Sequence, residues 1–222
     1  MLLVLVIGSV KSVAQEEATS MYFEKITDRK ARVLSKIPEK FKGKYVFEKD
    51  SLNRIYVDDS TFNGVSFIYL QGEKSKLLSK PNVKLRDNYL FGIVNNDSLP
   101  CVEENDTLYY GIPLRSELFN VNDLSQPIYV LSDNEFIFLD LGIMNSKCFT
   151  CTKYTFYDDR LEISSVDHDL EMELIKRHFK MDTEMIDGFK TYICRGSISN
   201  FIKFSNANGF NDIVTYYKVK NE

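Results

Sequence analysis

The chain of 222 residues contains no tryptophan, only two histidines, four cysteines and five prolines. Two histidines and four cysteines provide few candidate ligands for the His- and Cys-rich metal sites of proteins. Gly64-Val65-Ser66-Phe67-Ile68 lacks the second glycine of a Gly-x-Ser-x-Gly nucleophile turn, and no glycine-rich phosphate loop occurs. We therefore predict no metal and no cofactor, and the sequence assigns no catalytic or ligand-binding residue.

A stripe of basic residues is also missing. The 28 Lys and Arg are outnumbered by 32 Asp and Glu, which gives a net charge of −4. Nucleic-acid-binding domains carry a clustered basic surface, so we expect no nucleic-acid partner. What is abundant is aromatic: 16 Phe and 13 Tyr, residue types that favour the half-buried surface of a β-sheet.

Long hydrophobic runs are absent except at the start of the chain. The apolar stretch Leu2–Ile7 is followed by small residues at Ser12 and Ala14, as in a secretory signal peptide, although no basic residue precedes the stretch. The stretch is shorter than the roughly 20 residues needed to span a bilayer. We predict a signal peptide over residues 1–14, no transmembrane segment in the mature chain, and export to the periplasm or the extracellular space.

Two types of hydrophobic spacing follow. Apolar residues at steps of four and seven predict an N-terminal helical segment over residues 15–40, ending at Pro38. Residues 41–222 form a single β-rich domain in this interpretation. They alternate in short runs separated by polar turns such as Asp87-Asn88, Glu104-Asn105 and Asp158-Asp159. This pattern predicts a mainly β fold, an antiparallel meander forming a barrel-like or sandwich domain.

Two short C-terminal helices interrupt the strands. Asp167 is the predicted N-cap of the first helix, with Leu170, Leu174 and Phe179 facing the core. The second helix begins after Ser197 or Ser199, and Gly209 is expected in the left-handed position that ends it. His168 and His178 are ten residues apart, so they lie ~80° apart around a helix and do not form a metal-binding pair.

The four cysteines include one Cys-x-x-Cys pair, Cys148 and Cys151. A redox pair begins a helix and a zinc ribbon needs a second close pair, whereas Phe149, Thr150 and Thr152 favour a strand. Residues i and i+3 of a strand point to opposite faces, so the two should not bond to each other. For an exported protein we predict one or two disulfides, in which each of these cysteines pairs elsewhere or one of them stays buried and free. Two pairings stay open: Cys101–Cys148 with Cys151–Cys194, or Cys101–Cys151 with Cys148–Cys194.

An Asp-Ser/Thr motif recurs at four places, with Ser51, Ser60, Ser98 and Thr107 as its hydroxyl residues. The motif resembles the O-glycosylation acceptor of some Gram-negative secretory systems, and these residues are glycosylation candidates. Ordinary turn chemistry explains the same pattern, because Asp and Ser are common where hairpins reverse. Both interpretations stay open.

The stretch Ile37–Phe47, with Gly43 and Tyr45, resembles the beginning of a lipocalin-like barrel. In that family a Gly-x-Trp follows a short N-terminal helix, and here Tyr45 stands in place of the Trp. The resemblance implies a secreted barrel with an internal ligand cavity. The two predicted C-terminal helices depart from the family pattern.

Together these patterns lead to a hypothesis about function. We predict an exported soluble or envelope-associated protein that binds a small apolar or sugar-like ligand and is not an enzyme. One alternative is a secreted hydrolase that uses paired carboxylates, and another is a protein-interaction or structural module. The sequence does not determine the oligomeric state.

Overall fold

A computed structural model describes residues 20–94, 98–141, 149–186 and 188–220 of the chain. The molecule is 54% strand and 15% helix, which confirms the mainly β class. The predicted signal peptide over residues 1–14 lies outside the described residues, as does Cys148. No helix in the described ranges is long and apolar enough to cross a membrane.

Fifteen strands and three α-helices make up the described part of the chain. The first strands and the first helix belong to residues 20–91: β1 (Ser20–Phe23), β2 (Gly43–Phe47), β3 (Asp50–Val57), β4 (Thr61–Glu73), α1 (Lys74–Leu78), β5 (Lys84–Arg86) and β6 (Tyr89–Phe91). The middle of the chain holds β7 (Ser98–Glu104), β8 (Thr107–Asn120), β9 (Ile128–Val130), β10 (Glu135–Leu141), β11 (Phe149–Phe156) and β12 (Arg160–Ser165). The C-terminal part holds α2 (His168–His178), β13 (Lys180–Ile186), β14 (Phe189–Arg195), α3 (Ile198–Asn206) and β15 (Asp212–Lys218).

All the strands belong to one mixed sheet that divides at β11. One branch runs β11-β12-β15-β2-β3-β4-β8-β7-β6-β5, and the other runs β11-β1-β14-β13. The other edge of β11 pairs with β10, which pairs with β9. The β1–β14 pair is parallel, and the remaining strand pairs are antiparallel.

The sheet is not closed into a barrel. Its long central pair, β4 and β8, starts in the main core but extends well beyond it, and its outer half carries β5, β6 and β7. This outer part, residues 67–114, is called the projecting ribbon below. Because the ribbon leads β5 away from the main core, the end strands β5 and β13 do not meet. A closed barrel is therefore not what these residues form.

Three hydrophobic clusters hold the sheet. The central cluster covers one face of the sheet, called the inner face below, with aromatic side chains, among them Tyr45, Phe62, Phe119, Tyr154 and Phe156. A second cluster lies where α2 and α3 cover β1, β10, β11 and β14. A third, smaller cluster forms the ribbon's own core, where Leu77 of α1 packs against Leu90, Leu99 and Leu108. Burial of this apolar area is the main force that orders each part.

The predicted N-terminal helix is wrong for the described residues 20–40. Ser20–Phe23 is strand β1, inserted between β11 and β14, and a short 3-10 turn occupies Glu39–Phe41. Between them, the Leu34 N–H donates to the Ile128 carbonyl and the Val130 N–H to the Arg32 carbonyl. Pairing with strands from distant parts of the chain therefore overrides a helical spacing of apolar residues.

The two C-terminal helices occupy the stretches after Asp167 and Ser197. The Asp167 carboxylate accepts from the Asp169 and Leu170 N–H groups at 3.1 and 3.2 Å. The predicted buried face of α2 is partly wrong, because Leu170 is 77% exposed and Ile175 is fully buried. At the end of α3, Asn208 takes the left-handed conformation expected of Gly209, with φ of 61°.

Gly209 has a packing role in this structure. A Cβ added to Gly209 would lie 2.4 Å from the Phe204 ring. A glycine is therefore needed here for the close approach of the aromatic ring.

Candidate functional site

An open cleft of about 740 Å³ lies on the outer face of β3, β4 and β8, where the main sheet continues into the projecting ribbon. We call it the aromatic cleft, and its lining includes Arg54, Tyr56, Asn63, Phe67, Tyr89, Arg115 and Glu117. Alternation along β3 explains its position. Ile55 and Val57 are buried in the central cluster, so Arg54 and Tyr56 point to the opposite face.

Three aromatic side chains from three strands line the cleft. Tyr56 comes from β3, Phe67 from β4 and Tyr89 from β6, and the two tyrosines are 38% and 45% exposed. Tyr69, two residues beyond Phe67 on the same face, stacks with it at a centroid distance of 6.4 Å. The aromatic surface therefore extends from the cleft along the ribbon.

The Tyr69 and Phe67 rings are each held in place by a contact. The Tyr69 hydroxyl donates to the Asp50 carboxylate at 2.6 Å, and this hydrogen bond is the main cause that raises the pKa of Tyr69 to about 12. On the neighbouring strand, a Cβ added to Gly111 would lie 2.9 Å from Phe67 Cδ1. The Phe67 ring therefore lies directly against the Gly111 backbone, a common way for an aromatic side chain to cover a strand glycine.

Polar side chains surround the aromatic rings in a regular register. Arg54 of β3 and Arg115 of β8 both pair with Val65 of β4, so the two arginines flank Val65 on the same face. Glu117 likewise pairs with Asn63. The Arg54 Nε donates to the Ser51 carbonyl at 3.2 Å, which restrains that guanidinium. The cleft thus combines fixed hydrogen-bond donors and acceptors with apolar rings.

The opposite, inner face of the same strands lines a second cavity of about 370 Å³. We call it the inner pocket, and its lining includes Asn53, Ser116, Asp140, Thr152, Tyr154 and Tyr216. Tyr154 is buried and belongs to the central cluster, whereas Asp140 is exposed. Burial is the main cause that raises the pKa of the Tyr154 hydroxyl, and the negative charge of Asp140 adds to it. The two cavities lie back to back across β3 and β4.

A third cavity of about 330 Å³ lies where the sheet divides, and Cys151 and His168 are both in its lining. A cysteine nucleophile requires a lowered thiol pKa. Burial instead raises the pKa of Cys151, and the sheet places the residue within the hydrophobic cluster under α2 and α3. The pair therefore lacks the electrostatics of a catalytic Cys–His dyad.

The predicted disulfides are not formed by the described cysteines. Cys101, Cys151 and Cys194 are free and buried. Cys101 belongs to the core of the ribbon, while Cys151 and Cys194 lie on β11 and β14 with β1 between them. Two strand spacings amount to roughly 10 Å, beyond the ~7 Å limit between bonded Cα atoms.

Of the four glycosylation candidates, Ser51, Ser60 and Thr107 lie next to hairpin turns and Ser98 begins β7. Ser51 and Ser98 are exposed, and Ser60 and Thr107 are partly buried. The Asp58 carboxylate accepts from the Ser60 N–H at 2.9 Å, which is the turn chemistry expected of such a segment. Ser98 also lines the aromatic cleft. A glycan on Ser98 would occupy the site, and the modification itself stays a prediction.

Sequence reasoning did not identify the residues of the aromatic cleft. The signal was present in the alternation of the strands, which places Tyr56, Phe67 and Tyr69 on the face opposite the core. The sequence does not reveal the strand order and register that bring Tyr89 of β6 and Arg54 of β3 into one cleft.

Within the described ranges, no three His, Cys, Asp or Glu side chains are arranged to hold a metal ion. No family model, curated protein or solved structure matches this chain.

Proposed function

We propose that this protein is a non-enzymatic binding protein that holds a sugar-like ligand in the aromatic cleft. One observation carries the proposal: Tyr56, Phe67 and Tyr89 line the same open cleft as Arg54, Asn63, Arg115 and Glu117. A protein surface that exposes several aromatic rings beside polar groups is unusual and commonly functional.

Sugars match this surface because they have two kinds of faces. The C–H groups on a pyranose ring are slightly positive and pack on the negative face of an aromatic ring. The hydroxyl groups around the ring edge need both donors and acceptors, which arginine, asparagine and glutamate side chains supply. A purely apolar ligand would leave the guanidinium and carboxylate groups without new partners, and desolvating them would cost binding free energy.

The hydrolase alternative needs a second carboxylate at the ligand. Glu117 is the one acidic side chain among the described residues that line the aromatic cleft. Glycosidases position two carboxyl groups ~5–10 Å apart across the scissile bond. Binding without hydrolysis is therefore the function that we favour, and the hydrolase stays a prediction.

Export belongs to the same proposal. The apolar run Leu2–Ile7 and the small residues Ser12 and Ala14 support processing after Ala14 and release into the periplasm or the extracellular space. The lipocalin-like resemblance of Ile37–Phe47 supports a secreted ligand-binding role but is confined to that stretch. Expression in a Gram-negative host, followed by cell fractionation and intact-mass measurement, tests this part. Full-length protein that stays in the cytoplasm would contradict it, and glycosylation would appear as added mass.

Binding is tested with a panel of oligosaccharides that contains gluco-, manno-, xylo- and chito-oligomers. The purified protein is screened on an array, and hits are measured by isothermal titration calorimetry. We expect Tyr89→Ala to weaken binding about fivefold or more, because the comparable stacking of a nucleic-acid base on an aromatic side chain contributes ~1–3 kcal/mol. Tyr217→Ala is the matched control, since Tyr217 and Tyr89 are both 45% exposed but Tyr217 is not in the cleft lining.

Three outcomes would overturn the proposal. The first is the absence of binding to any oligosaccharide of the panel. The second is equal affinity of the Tyr89→Ala and Tyr217→Ala variants. The third is cleavage of a bound oligosaccharide by the wild type but not by Glu117→Gln, which would favour the hydrolase.

A further inference from the structure

Exposed aromatic side chains continue beyond the aromatic cleft on one face of the projecting ribbon. Tyr69 pairs with Gly111, and Tyr109 lies two residues further along β8, so Phe67, Tyr69 and Tyr109 share this face. Tyr110, the next residue, is buried in the ribbon's own core on the other face. Tyr69 is 57% exposed and Tyr109 is 43% exposed. We call Phe67, Tyr69 and Tyr109 the aromatic strip.

The strip and the cleft together form an elongated surface. Diagonal neighbours on adjacent antiparallel strands, such as Tyr69 and Tyr109, are ~7–8 Å apart, which is within reach of aromatic side chains. Along β4, the surface runs from Asn63 in the cleft lining to Gln71, the partner of Tyr109, a rise of roughly 26 Å at ~3.3 Å per residue. This surface is longer than a monosaccharide or a disaccharide.

Two rings of the strip are already held in place without a ligand. Phe67 and Tyr69 stack at a centroid distance of 6.4 Å with 27° between their planes. The Tyr69 hydroxyl donates to the Asp50 carboxylate, and the Phe67 ring lies against the Gly111 backbone. Side chains that are ordered before binding lose little conformational entropy when a ligand arrives. The strip is therefore built to receive a ligand without rearrangement.

The two faces of the ribbon differ in chemistry. On the strip face, the exposed Gln71 side chain lies beside Tyr109 and offers both a donor and an acceptor to sugar hydroxyls. Val102 of β7 also lies beside Tyr109, at the end of the strip. The opposite face of β4 instead exposes the aliphatic side chains of Ile68 and Leu70, which are 47% and 41% exposed. Aromatic rings beside an amide favour a sugar chain as the occupant of the strip.

We propose that the ligand of the aromatic cleft is a linear oligosaccharide that extends along the ribbon, with Tyr69 and Tyr109 as additional subsites for its sugar rings. This extension of the site rests on the proposed sugar-binding function and specifies the ligand as a chain. Each further sugar ring that packs on an exposed tyrosine adds to the affinity. The affinity therefore rises with chain length until the strip is covered.

Chain length is the variable that tests these subsites. The disaccharide and the hexasaccharide of the gluco-, manno-, xylo- and chito-series are each titrated into the purified protein by isothermal titration calorimetry. In the series that binds, we expect the hexasaccharide to bind about fivefold or more tightly than the disaccharide, by analogy with the stacking of bases on aromatic side chains. A longer chain also offers more binding registers, so variants are needed to assign the gain to the strip.

Tyr109→Ala should weaken hexasaccharide binding about fivefold or more and leave disaccharide binding unchanged. Tyr109→Phe keeps the ring and should bind the hexasaccharide like the wild type. Leu70→Ala is the matched control, because Leu70 is 41% exposed, close to the 43% of Tyr109, but lies on the opposite face of the ribbon. Circular dichroism verifies that the three variants are folded.

The subsites are ruled out if the disaccharide and the hexasaccharide bind equally, or if Tyr109→Ala and Leu70→Ala bind the hexasaccharide equally. They are also ruled out if Tyr109→Phe binds as weakly as Tyr109→Ala. A lower molar mass of Tyr109→Ala in light scattering would overturn the proposal by assigning the strip to a contact between copies of the chain. These outcomes leave sugar binding in the cleft intact, whereas the absence of binding to every sugar overturns both proposals.

Discussion

The Tyr45 hydroxyl donates a 2.7 Å hydrogen bond to the Phe41 carbonyl, and both side chains are buried in the central cluster. Burial raises the pKa of Tyr45 to about 12. Lys218 of the last strand lies over the Tyr45 ring at 5.7 Å, and its Nζ donates to the Lys40 carbonyl at 2.7 Å. The 3-10 turn, β2 and β15 are therefore joined through one tyrosine.

Tyr45→Phe should lower the free energy of unfolding by about 1–3 kcal/mol, because the Phe41 carbonyl stays buried without its donor. Urea unfolding followed by circular dichroism measures the effect. Tyr217→Phe removes a hydroxyl from a 45% exposed ring and should change stability by less than about 0.5 kcal/mol. Equal stability of the two variants would show that the Tyr45 hydrogen bond does not contribute.

Gly92 is held in place by close packing in the projecting ribbon, and Gly188, between β13 and β14, serves as its control. Both have left-handed φ, 81° and 84°, but a Cβ on Gly92 would lie 2.0 Å from the Asn82 carbonyl oxygen and one on Gly188 would meet nothing within 4 Å. Gly188→Ala should cost about 1–2 kcal/mol from backbone strain alone. Gly92→Ala should cost clearly more, because the Asn82 backbone must also move.

Hydrogen exchange locates the effect of Gly92→Ala. We expect faster exchange in β5, β6 and β7, which surround Gly92, while the amides of β11 and β12 keep their protection. Equal destabilisation by the two glycine substitutions would contradict the close contact with Asn82.

Glu171 should make the folded protein less stable as the pH rises. Its side chain is 2% exposed, and its carboxylate accepts from the Asp167 N–H at 2.7 Å and faces the backbone N–H groups of Phe210 and Asn211. Desolvation is the main cause that raises the pKa of this carboxyl above 4.5. The folded state then holds a proton that the unfolded state releases, so the contribution of Glu171 to stability decreases as the pH rises above 4.5.

Glu171→Gln removes this titration while keeping the acceptor for Asp167. We expect the free energy of unfolding of the variant, relative to the wild type, to increase with pH from 4.5 until Glu171 is ionised in the folded state. Urea unfolding at a series of pH values between 4 and 7 measures this difference. A difference that is constant across the series would rule out a raised pKa for Glu171.

The described thiols should be unreactive in the folded protein. Cys101, Cys151 and Cys194 are buried, and burial raises the pKa of Cys194 to about 12, so little reactive thiolate exists at neutral pH. Peptide mapping after alkylation, with and without guanidinium chloride, should show labelling at Cys101 and Cys194 only in the denaturant. A disulfide-linked peptide that contains either residue would contradict the unpaired arrangement.

Local chemistry in the sequence was sufficient to predict several turns and helix ends. The Asp87-Asn88 turn has both residues at positive φ, 50° and 61°, as a two-residue hairpin requires. The next predicted turn was displaced by one residue, because Asn105 and Asp106 take these positions instead of Glu104 and Asn105. Asp167 caps α2, since a carboxylate placed there bonds to free N–H groups within three residues.

The candidate site was beyond what the sequence predicts. Arg54, Phe67 and Tyr89 each follow an alternating pattern, but no local signal states which strands are neighbours. The predicted Cys151–Cys194 disulfide is wrong for the same reason, because β1 lies between β11 and β14 and the spacing of residues in the sequence does not reveal that insertion.

The amino-acid sequence by itself determined the mainly β class, the tight turns rich in Asp and Asn, and the capped helix α2. These features depend on contacts between residues that are close along the chain. Only the tertiary structure decided that residues 20–23 are a strand, that the sheet stays open, and that Cys101, Cys151 and Cys194 lie apart. It also decided that two cavities of different chemistry share β3 and β4, because strand order and register arise from burial summed over the whole sheet.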